Sequence, residues 1–417
     1  MEHIKSRRLC STACCLAACA TGVQAAGYKL PESSSNATAL SAAYVANARG
    51  PDASYYNPAA MVMDPGGAAV SGDLTLVHLP RINFAGTQTI PGLGTLPASD
   101  ASQVENIAVP TLHYISPYVG KARFGLSIVT PGGLSKRWKG YGASAAEEFS
   151  LKTVEINPTV GYRLTDSLSV GGGARMLYSS GVVKSRVPGS VFRDLEGDSV
   201  DFGYNLAVHF EPNDMYAFAV TYRSKIDMTV EGDAILGVGA ATLYSGSASV
   251  EVPLPAALSI ASAFQLRSDT TLEVVFERTY WSAYDQLDFN YGSPIAPPLV
   301  PIFDNPIPKN WSDSNTIRFG LTHVLDDKWT LMGGFALDNS PAPPQTIGFE
   351  LPESDGKIFS LGARYKASPE LEFAGGVLYT KRDDLNVTAA GNNNGLTGTF
   401  SDAGALLVTF GAQYNFL

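Results

Sequence analysis

The sequence predicts an all-β protein: a 14-stranded antiparallel transmembrane β-barrel with an N-terminal hatch inside the lumen. Three observations lead there. Only 16% of the 417 residues are charged, against roughly 25% in an ordinary soluble domain, while 41 are Gly and Tyr and Phe number 19 each. No run of about 18 apolar residues occurs, which excludes a bundle of transmembrane helices. Apolar residues alternate with Gly, Ser, Thr and Ala in many segments, joined by connections that are short and long in turn, the pattern of a barrel with lipid outside and polar atoms within.

Residues 1–25 read as a secretion signal. Lys5, Arg7 and Arg8 are its basic region, Leu9 to Ala20 its apolar stretch, and Val23-Gln24-Ala25 its cleavage site, so the mature chain begins at Ala26. A rival is Leu16-Ala17-Ala18-Cys19, a lipoprotein-type site that would leave a lipidated Cys19. Cleavage after Ala25 removes Cys10, Cys14, Cys15 and Cys19, all the cysteine there is, and with it any disulfide frame or cysteine metal site. Because the signal carries three basic residues and Glu2, its loss takes the net charge from −10 to −12, a balance that opposes binding to nucleic acid.

Residues 26–65 do not alternate. They are rich in small residues, as in Ser33-Ser34-Ser35-Asn36-Ala37-Thr38-Ala39, and carry Tyr28, Tyr44, Tyr55 and Tyr56 with little charge. A wide barrel that is not an open pore needs a plug, and this composition suits a packed hatch better than a solvated tail.

Residues 66–417 form the barrel. In 201–210, Phe202, Tyr204, Leu206, Val208 and Phe210 share one face, opposite Asp201, Gly203, Asn205, Ala207 and His209. Leu406 to Phe416 alternates likewise, as do runs near 150–163, 168–181, 215–230, 314–323, 328–338, 357–366 and 370–380. Six tight connections (117–121, 164–167, 211–214, 267–270, 325–328, 367–370) carry turn residues. Seven long ones are expected near 83–104, 131–149, 182–198, 231–250, 287–313, 339–356 and 382–403. Thirteen connections join fourteen strands. A closed barrel leaves no free edge, so a monomer in contact with outer-membrane lipid is expected.

At this point the residues resemble a known family. Ala26-Gly27-Tyr28-Lys29-Leu30, the serines after it, Asn57-Pro58-Ala59, Thr221-Tyr222-Arg223-Ser224, Tyr280-Trp281-Ser282, Asp326-Asp327-Lys328-Trp329-Thr330 and Asp338-Asn339-Ser340-Pro341 occur in the order found in the FadL family of outer-membrane transporters. The resemblance implies passive import of hydrophobic molecules, with long-chain fatty acid as the leading substrate and aromatic hydrocarbon as its rival. It implies that Asn57, Pro58 and Ala59 are the hatch motif, and that Phe124 and Gly125 lie at a kink in the third strand beside a lateral opening. The connections 131–149 and 182–198 are short for the family, which puts its external groove in question. A structural or adhesive barrel without transport is the alternative from another class.

A fatty acid needs an apolar lining and one cation or donor for its carboxylate. By strand parity Arg123, Arg175, Arg223, Lys225, Arg318 and Arg364 point inward, the last five as candidates for the carboxylate, as do Glu155, Asp201, Asp227, Glu273 and Glu372; mutual neutralisation is the plainer reading of any one of them. The proline-rich stretch Tyr291 to Trp311 is either a capture surface for ligand or a cap. Trp138, Trp281, Trp311 and Trp329 suit interfacial girdles. His78, His113, His209 and His323 lack metal-ligand spacing, and no G-x-S-x-G elbow occurs, so no catalytic residue, metal or cofactor is expected.

Overall fold

The computed structural model describes residues 27–90, 94–187 and 189–416. The secretion signal, the processing sites at Cys19 and Ala25, the mature start at Ala26 and Pro91-Gly92-Leu93 lie outside the described residues. The barrel strands are β1 (Ala69–Leu79), β2 (Glu105–Ile115), β3 (Ala122–Val129), β4 (Glu148–Arg163), β5 (Leu168–Arg186) and β6 (Val191–Asn213). Then come β7 (Tyr216–Arg223, resuming as Ile226–Val238), β8 (Ala241–Leu254, resuming as Ala257–Arg267) and β9 (Thr270–Thr279). β10 (Ser314–Val324), β11 (Trp329–Asp338), β12 (Gly356–Lys366), β13 (Leu371–Arg382) and β14 (Gly404–Asn415) complete the fourteen. β1 pairs antiparallel with β14, from Ala69↔Asn415 to His78↔Leu406, and this ladder closes the barrel.

Period-2 alternation sets the two faces of the wall. On β1, Leu74 and Leu76 are exposed outward while Ser71, Asp73 and Thr75 are buried in the lumen. Phe202, Tyr204, Leu206, Val208 and Phe210 of β6 extend the outward apolar band. Of the four tryptophans only Trp329 sits on that outer face, its ring 4.7 Å from that of Tyr365. Trp138, Trp281 and Trp311 are buried, which corrects their assignment to girdles: the segments that carry them fold back over the barrel mouth.

Two expected long connections are strand instead. β5 and β6 pair up to Arg186↔Phe192, and β7 and β8 pair up to Val238↔Ala241. The hairpins rise past the apolar band into water, so their outward faces carry Glu196, Asp198 and Asp233, and the hydrophobic signal fades while the ladder continues. Elsewhere at this end Asn83–Ile90 pairs with Leu396–Ser401 in a small sheet. Phe84, Phe349, Phe400 and Trp138 pack beneath it, and the Trp138 indole N–H donates to the Phe349 carbonyl at 2.8 Å.

The N-terminal segment, from Gly27 to Pro65, runs inside the lumen. It holds α1 (Ser35–Ala39), α2 (Ala53–Tyr56) and a 3₁₀ turn, Ala60–Val62. The Ser34 hydroxyl caps α1 by accepting the Ala37 N–H. Small side chains let this backbone lie close against the wall, and the wall answers with glycine. A Cβ on Gly171 would stand 2.6 Å from the Ala59 nitrogen, and one on Gly334 would stand 2.2 Å from the Leu40 carbonyl carbon. Gly171 is therefore a seat for the segment that contains Asn57-Pro58-Ala59, while Gly172 and Gly173 of the same run lie against the neighbouring wall strands.

Gly171→Val should leave a barrel that still migrates as a compact, heat-modifiable band but conducts ions across a planar bilayer, as a deletion of residues 27–65 should do more strongly. A Gly171→Val channel as silent as the parent would show that the N-terminal segment does not depend on this contact.

Candidate functional site

Above the N-terminal segment lies an apolar cavity of about 60 Å³, room for roughly four to six waters. Leu134, Leu151, Val183, Leu195 and Val230 line its walls, Tyr28 closes it below, and Leu287, Phe289 and Leu351 roof it. No cation lines it. The stretch from Tyr291 to Trp311 folds down as part of that roof: Ile295, Leu299 and Phe303 are buried in the same cluster, with Val300 and Ile302 left exposed. The Tyr28 ring stands 4.8 Å from Trp281 and 5.8 Å from Tyr284, both edge-on.

Tyr28 also belongs to the closure of the wall. β3 pairs with β2 only from Leu112↔Ile128 to Ile115↔Gly125, so Glu105 to Thr111 have no partner on that side. β3 leaves the ladder after Val129 and resumes as Gly133–Lys136, paired with β4 alone. Into the space comes the N-terminal segment. The Leu30 N–H donates to the Pro131 carbonyl at 2.8 Å, and the Gly133 N–H donates to the Tyr28 carbonyl at 2.7 Å. Leu30 packs against Ile107 and Val109, the inward residues of the unpaired stretch.

The break in β3 thus falls at Thr130 to Gly132, beyond the Phe124-Gly125 read from the sequence: Gly125 is paired on both sides, and Phe124 pairs with Val160 and accepts the Ser116 N–H at 2.8 Å. Phe124 faces outward, and a Cβ on Gly125 would meet Ser54 Cβ at 2.5 Å. Glycine is needed there for α2 to approach the wall. Asn57 donates through Nδ2 to the Val45 carbonyl at 2.9 Å and lies 3.2 Å from His209 Nδ1. The Pro58 carbonyl presses on Gly161, and the Ala59 carbonyl accepts the Ser169 hydroxyl at 2.7 Å. His209 is thereby engaged in seating the segment, its other nitrogen 3.3 Å from Glu211.

Of the six cations expected inside, Arg123 is wholly buried and donates to the Met61 and Asp64 carbonyls at 2.9 and 3.1 Å, and three of the five carboxylate candidates form one buried belt with the N-terminal segment. Arg175 pairs with Glu155 at 2.8 Å, and Arg223 shares that carboxylate while lying 4.2 Å over the Tyr55 ring. Arg318 pairs with Glu277 at 3.4 Å and donates to the Ser41 carbonyl at 3.0 Å. Lys29, missed in the sequence because its segment has no parity, takes the other Glu277 oxygen at 2.8 Å. Burial pulls the Lys29 ammonium below its usual range despite Glu277, and pushes the Glu32 carboxyl up to about 7. Arg223, Arg318 and Lys29 line a second cavity of about 50 Å³.

The other two stand apart. Arg364 lines a small polar cavity with Asn36, Asp52, Asp73 and Glu372. Lys225 is exposed and paired with Asp227 at 2.8 Å, so both are corrected to the outer side. The inward face passes from Thr221 to Ser224, Ile226 and Met228, because the two-residue break in β7 reverses the alternation.

Two further residues take parts that the sequence reading did not assign, Glu273 having been read only as inward by parity. Glu273 accepts the N–H groups of Val45, Ala46 and Asn47 at 2.7, 2.6 and 3.2 Å, a carboxylate in a backbone nest. Arg193, in a stretch read as loop, is buried two residues above Leu195; its guanidinium lies 4.6 Å over Phe289, and its Nε has no hydrogen-bond partner. It is the cation beside the apolar cavity.

Residues 16–416 match the family model described as outer membrane protein transport protein (OMPP1/FadL/TodX). The chain is 24% identical over 374 residues to a long-chain fatty acid transport protein of Salmonella typhi, covering 81% of this chain and 82% of that one. It is 25% identical over 446 residues to outer membrane protein P1 of Haemophilus influenzae, covering 94% of each. Among solved structures, a Pseudomonas aeruginosa FadL homologue matches with a TM-score of 0.81 at 19% identity, covering 94% of this chain and all of that one. The P. putida toluene transporter TodX matches at 0.69 and 16%, covering 91% and 98%.

Glu273→Gln keeps the shape of the nest but removes its charge. Charged hydrogen bonds contribute about 1.5–3 kcal/mol against about 0.5–1.5 for neutral ones, so the Val45 to Asn47 amides should exchange with solvent deuterium roughly tenfold faster. Unchanged exchange would show that the carboxylate charge does not hold them.

Proposed function

The chain belongs to the OMPP1/FadL/TodX family of outer-membrane transporters of hydrophobic compounds, and from that premise we propose that it imports long-chain fatty acids passively, with residues 26–65 as the hatch. The observation that carries the mechanism is the double role of Tyr28. Its side chain is the floor of the apolar cavity, and its carbonyl holds Gly133 across the gap between β2 and β3. A ligand that enlarges the cavity must move Tyr28, and movement of Tyr28 breaks the bridge that covers the gap.

The energies permit it. Two backbone hydrogen bonds contribute about 0.5–1.5 kcal/mol each, whereas roughly ten methylenes leaving water supply about 8 kcal/mol. Release through the β2–β3 gap, above Phe124 and Gly125, delivers the chain to the bilayer and keeps that gain; release to water forfeits it. Glu273 holds the distal hatch in place meanwhile, so only the Tyr28 to Leu30 end has to move.

For the head group, Arg193 replaces the cations read from the sequence. Arg175, Arg223 and Arg318 are engaged with carboxylates and backbone carbonyls, whereas Arg193, hydrogen-bonded to the Tyr291 side chain, keeps an unpartnered Nε beside Phe289. The cavity itself has no cation in its lining, and that favours the second reading, uptake of a neutral aromatic hydrocarbon.

Uptake of labelled oleate and labelled toluene, in cells lacking their own channel for hydrophobic compounds, separates the two. Oleate should accumulate, and Arg193→Leu should cut its uptake about tenfold while leaving any toluene uptake unchanged. Toluene uptake alone would establish the hydrocarbon reading. A folded barrel that moves neither would favour a structural or adhesive role.

A further inference from the structure

The wall parts in a second place. β6 pairs with β7 at Asn205↔Arg223 and again at Asp198↔Glu231, with no ladder pair between for Ser199 to Gly203. The same residues of β6 remain fully paired with β5 on the other side. Ser224 hydrogen-bonds across the lower end, its N–H donating to the Tyr204 carbonyl and its Oγ accepting the Tyr204 N–H, both at 2.9 Å, and the Ile226 side chain packs there against Gly203. Six residues of β6 face seven of β7 across this interval, a one-residue offset spread over a stretch that has no ladder pair.

Its height matters. Val200, Phe202 and Tyr204 face outward from this part of β6, and Phe202 is 70% exposed. The next outward residues above are Asp198 and Glu196, which mark the end of the apolar band. The seam therefore opens at the outer-leaflet level. Unpaired backbone at that depth costs several kcal/mol per group unless it borders protein or a cavity.

The apolar cavity lies on the lumen side, just above the seam. Leu195 and Gly197 of β6 and Val230 and Gly232 of β7, the residues just above it, line that cavity. Leu177 and Met228, both wholly buried, are the inner wall at the level of the seam. The lips are polar. Lys225 pairs with Asp227 at 2.8 Å on the outside, and the other Asp227 oxygen is buried with no hydrogen-bond partner. Ser199 donates to Asp201 at 2.6 Å, and Arg175 reaches through to the Ser224 carbonyl at 2.6 Å.

We propose that the seam between β6 and β7 is a second side portal, through which single-chain carboxylic lipids already dissolved in the outer leaflet enter the apolar cavity. The proposal rests on the transport reading. An acyl chain slides between Phe202 and Met228, keeping its methylenes out of water throughout, while Lys225 meets the carboxylate at the lip. The β2–β3 gap is closed by the hatch, whereas the β6–β7 seam is held by the Ser224–Tyr204 hydrogen bonds and by the Ile226 side chain packed against Gly203, all of them wall residues. Entry from the membrane thus needs no prior movement of the hatch.

The test uses a diazirine-bearing stearic acid and the full chain in phosphatidylcholine vesicles, with photolabelled sites located by mass spectrometry. The probe is supplied either dissolved in the vesicle membrane or bound to albumin in water. Membrane delivery should label Leu177, Met228 and Leu195 on the lumen side. A Val200→Cys/Thr229→Cys disulfide across the seam should lower that labelling at least fivefold relative to the same protein reduced, and leave labelling from water unchanged. Two results would overturn the portal while leaving transport intact: lumen labelling from water only, or lumen labelling from the membrane that is indifferent to a closed disulfide. If the disulfide does not form, labelling of the untouched protein decides alone, with Val200 and Phe202 labelled but Met228 spared counting against the portal. No lumen labelling by either route would remove the transport reading itself.

Discussion

Two backbone hydrogen bonds between Tyr28 to Leu30 and Pro131 to Gly133 bear on most of the remaining architecture. Where β3 leaves its ladder, the N-terminal segment satisfies the Pro131 carbonyl and the Gly133 N–H; in hydrocarbon, orphaned peptide groups cost several kcal/mol each. That segment reaches the gap because Tyr28 is packed among Trp281, Tyr284 and Trp311 and Lys29 is tied to Glu277. The floor of the cavity and the closure of the wall are consecutive atoms of one chain, so the state of one constrains the state of the other.

The buried charges follow from the same enclosure. A lumen filled by protein excludes water, so each cation must find a carboxylate or carbonyl or lose its charge. Glu155 serves two arginines, Glu277 serves Lys29 and Arg318, and Glu273 serves three amides. These groups pin the N-terminal segment at several points along its length. The inward glycines play the complementary part, since they bring backbone against backbone at Gly171 and Gly334.

Much of this was legible in the residues. Alternation is local, so the faces of β6 and β14 could be assigned from neighbours alone, and six tight turns marked one rim of the barrel. The small-residue, low-charge stretch before β1 reads as a packed segment because it cannot pack against anything except a wall. Legibility stopped at irregularities. Ser224-Lys225 reverses the inward face of β7, which sent Lys225 and Asp227 to the wrong side. The hairpins above the apolar band kept their pairing but lost their hydrophobic contrast, and Arg193 went unread with them.

By itself the sequence determined the fourteen strands, their faces and the membrane they cross, because period-2 patterning against lipid is decided residue by residue. Only the tertiary structure decided where the wall parts, which cations are consumed by carboxylates, and that three tryptophans lie within. Those depend on encounters such as Tyr28 with Gly133, or Arg223 with Glu155, between residues far apart in the chain. No local pattern encodes a partner that only closure of the barrel brings near.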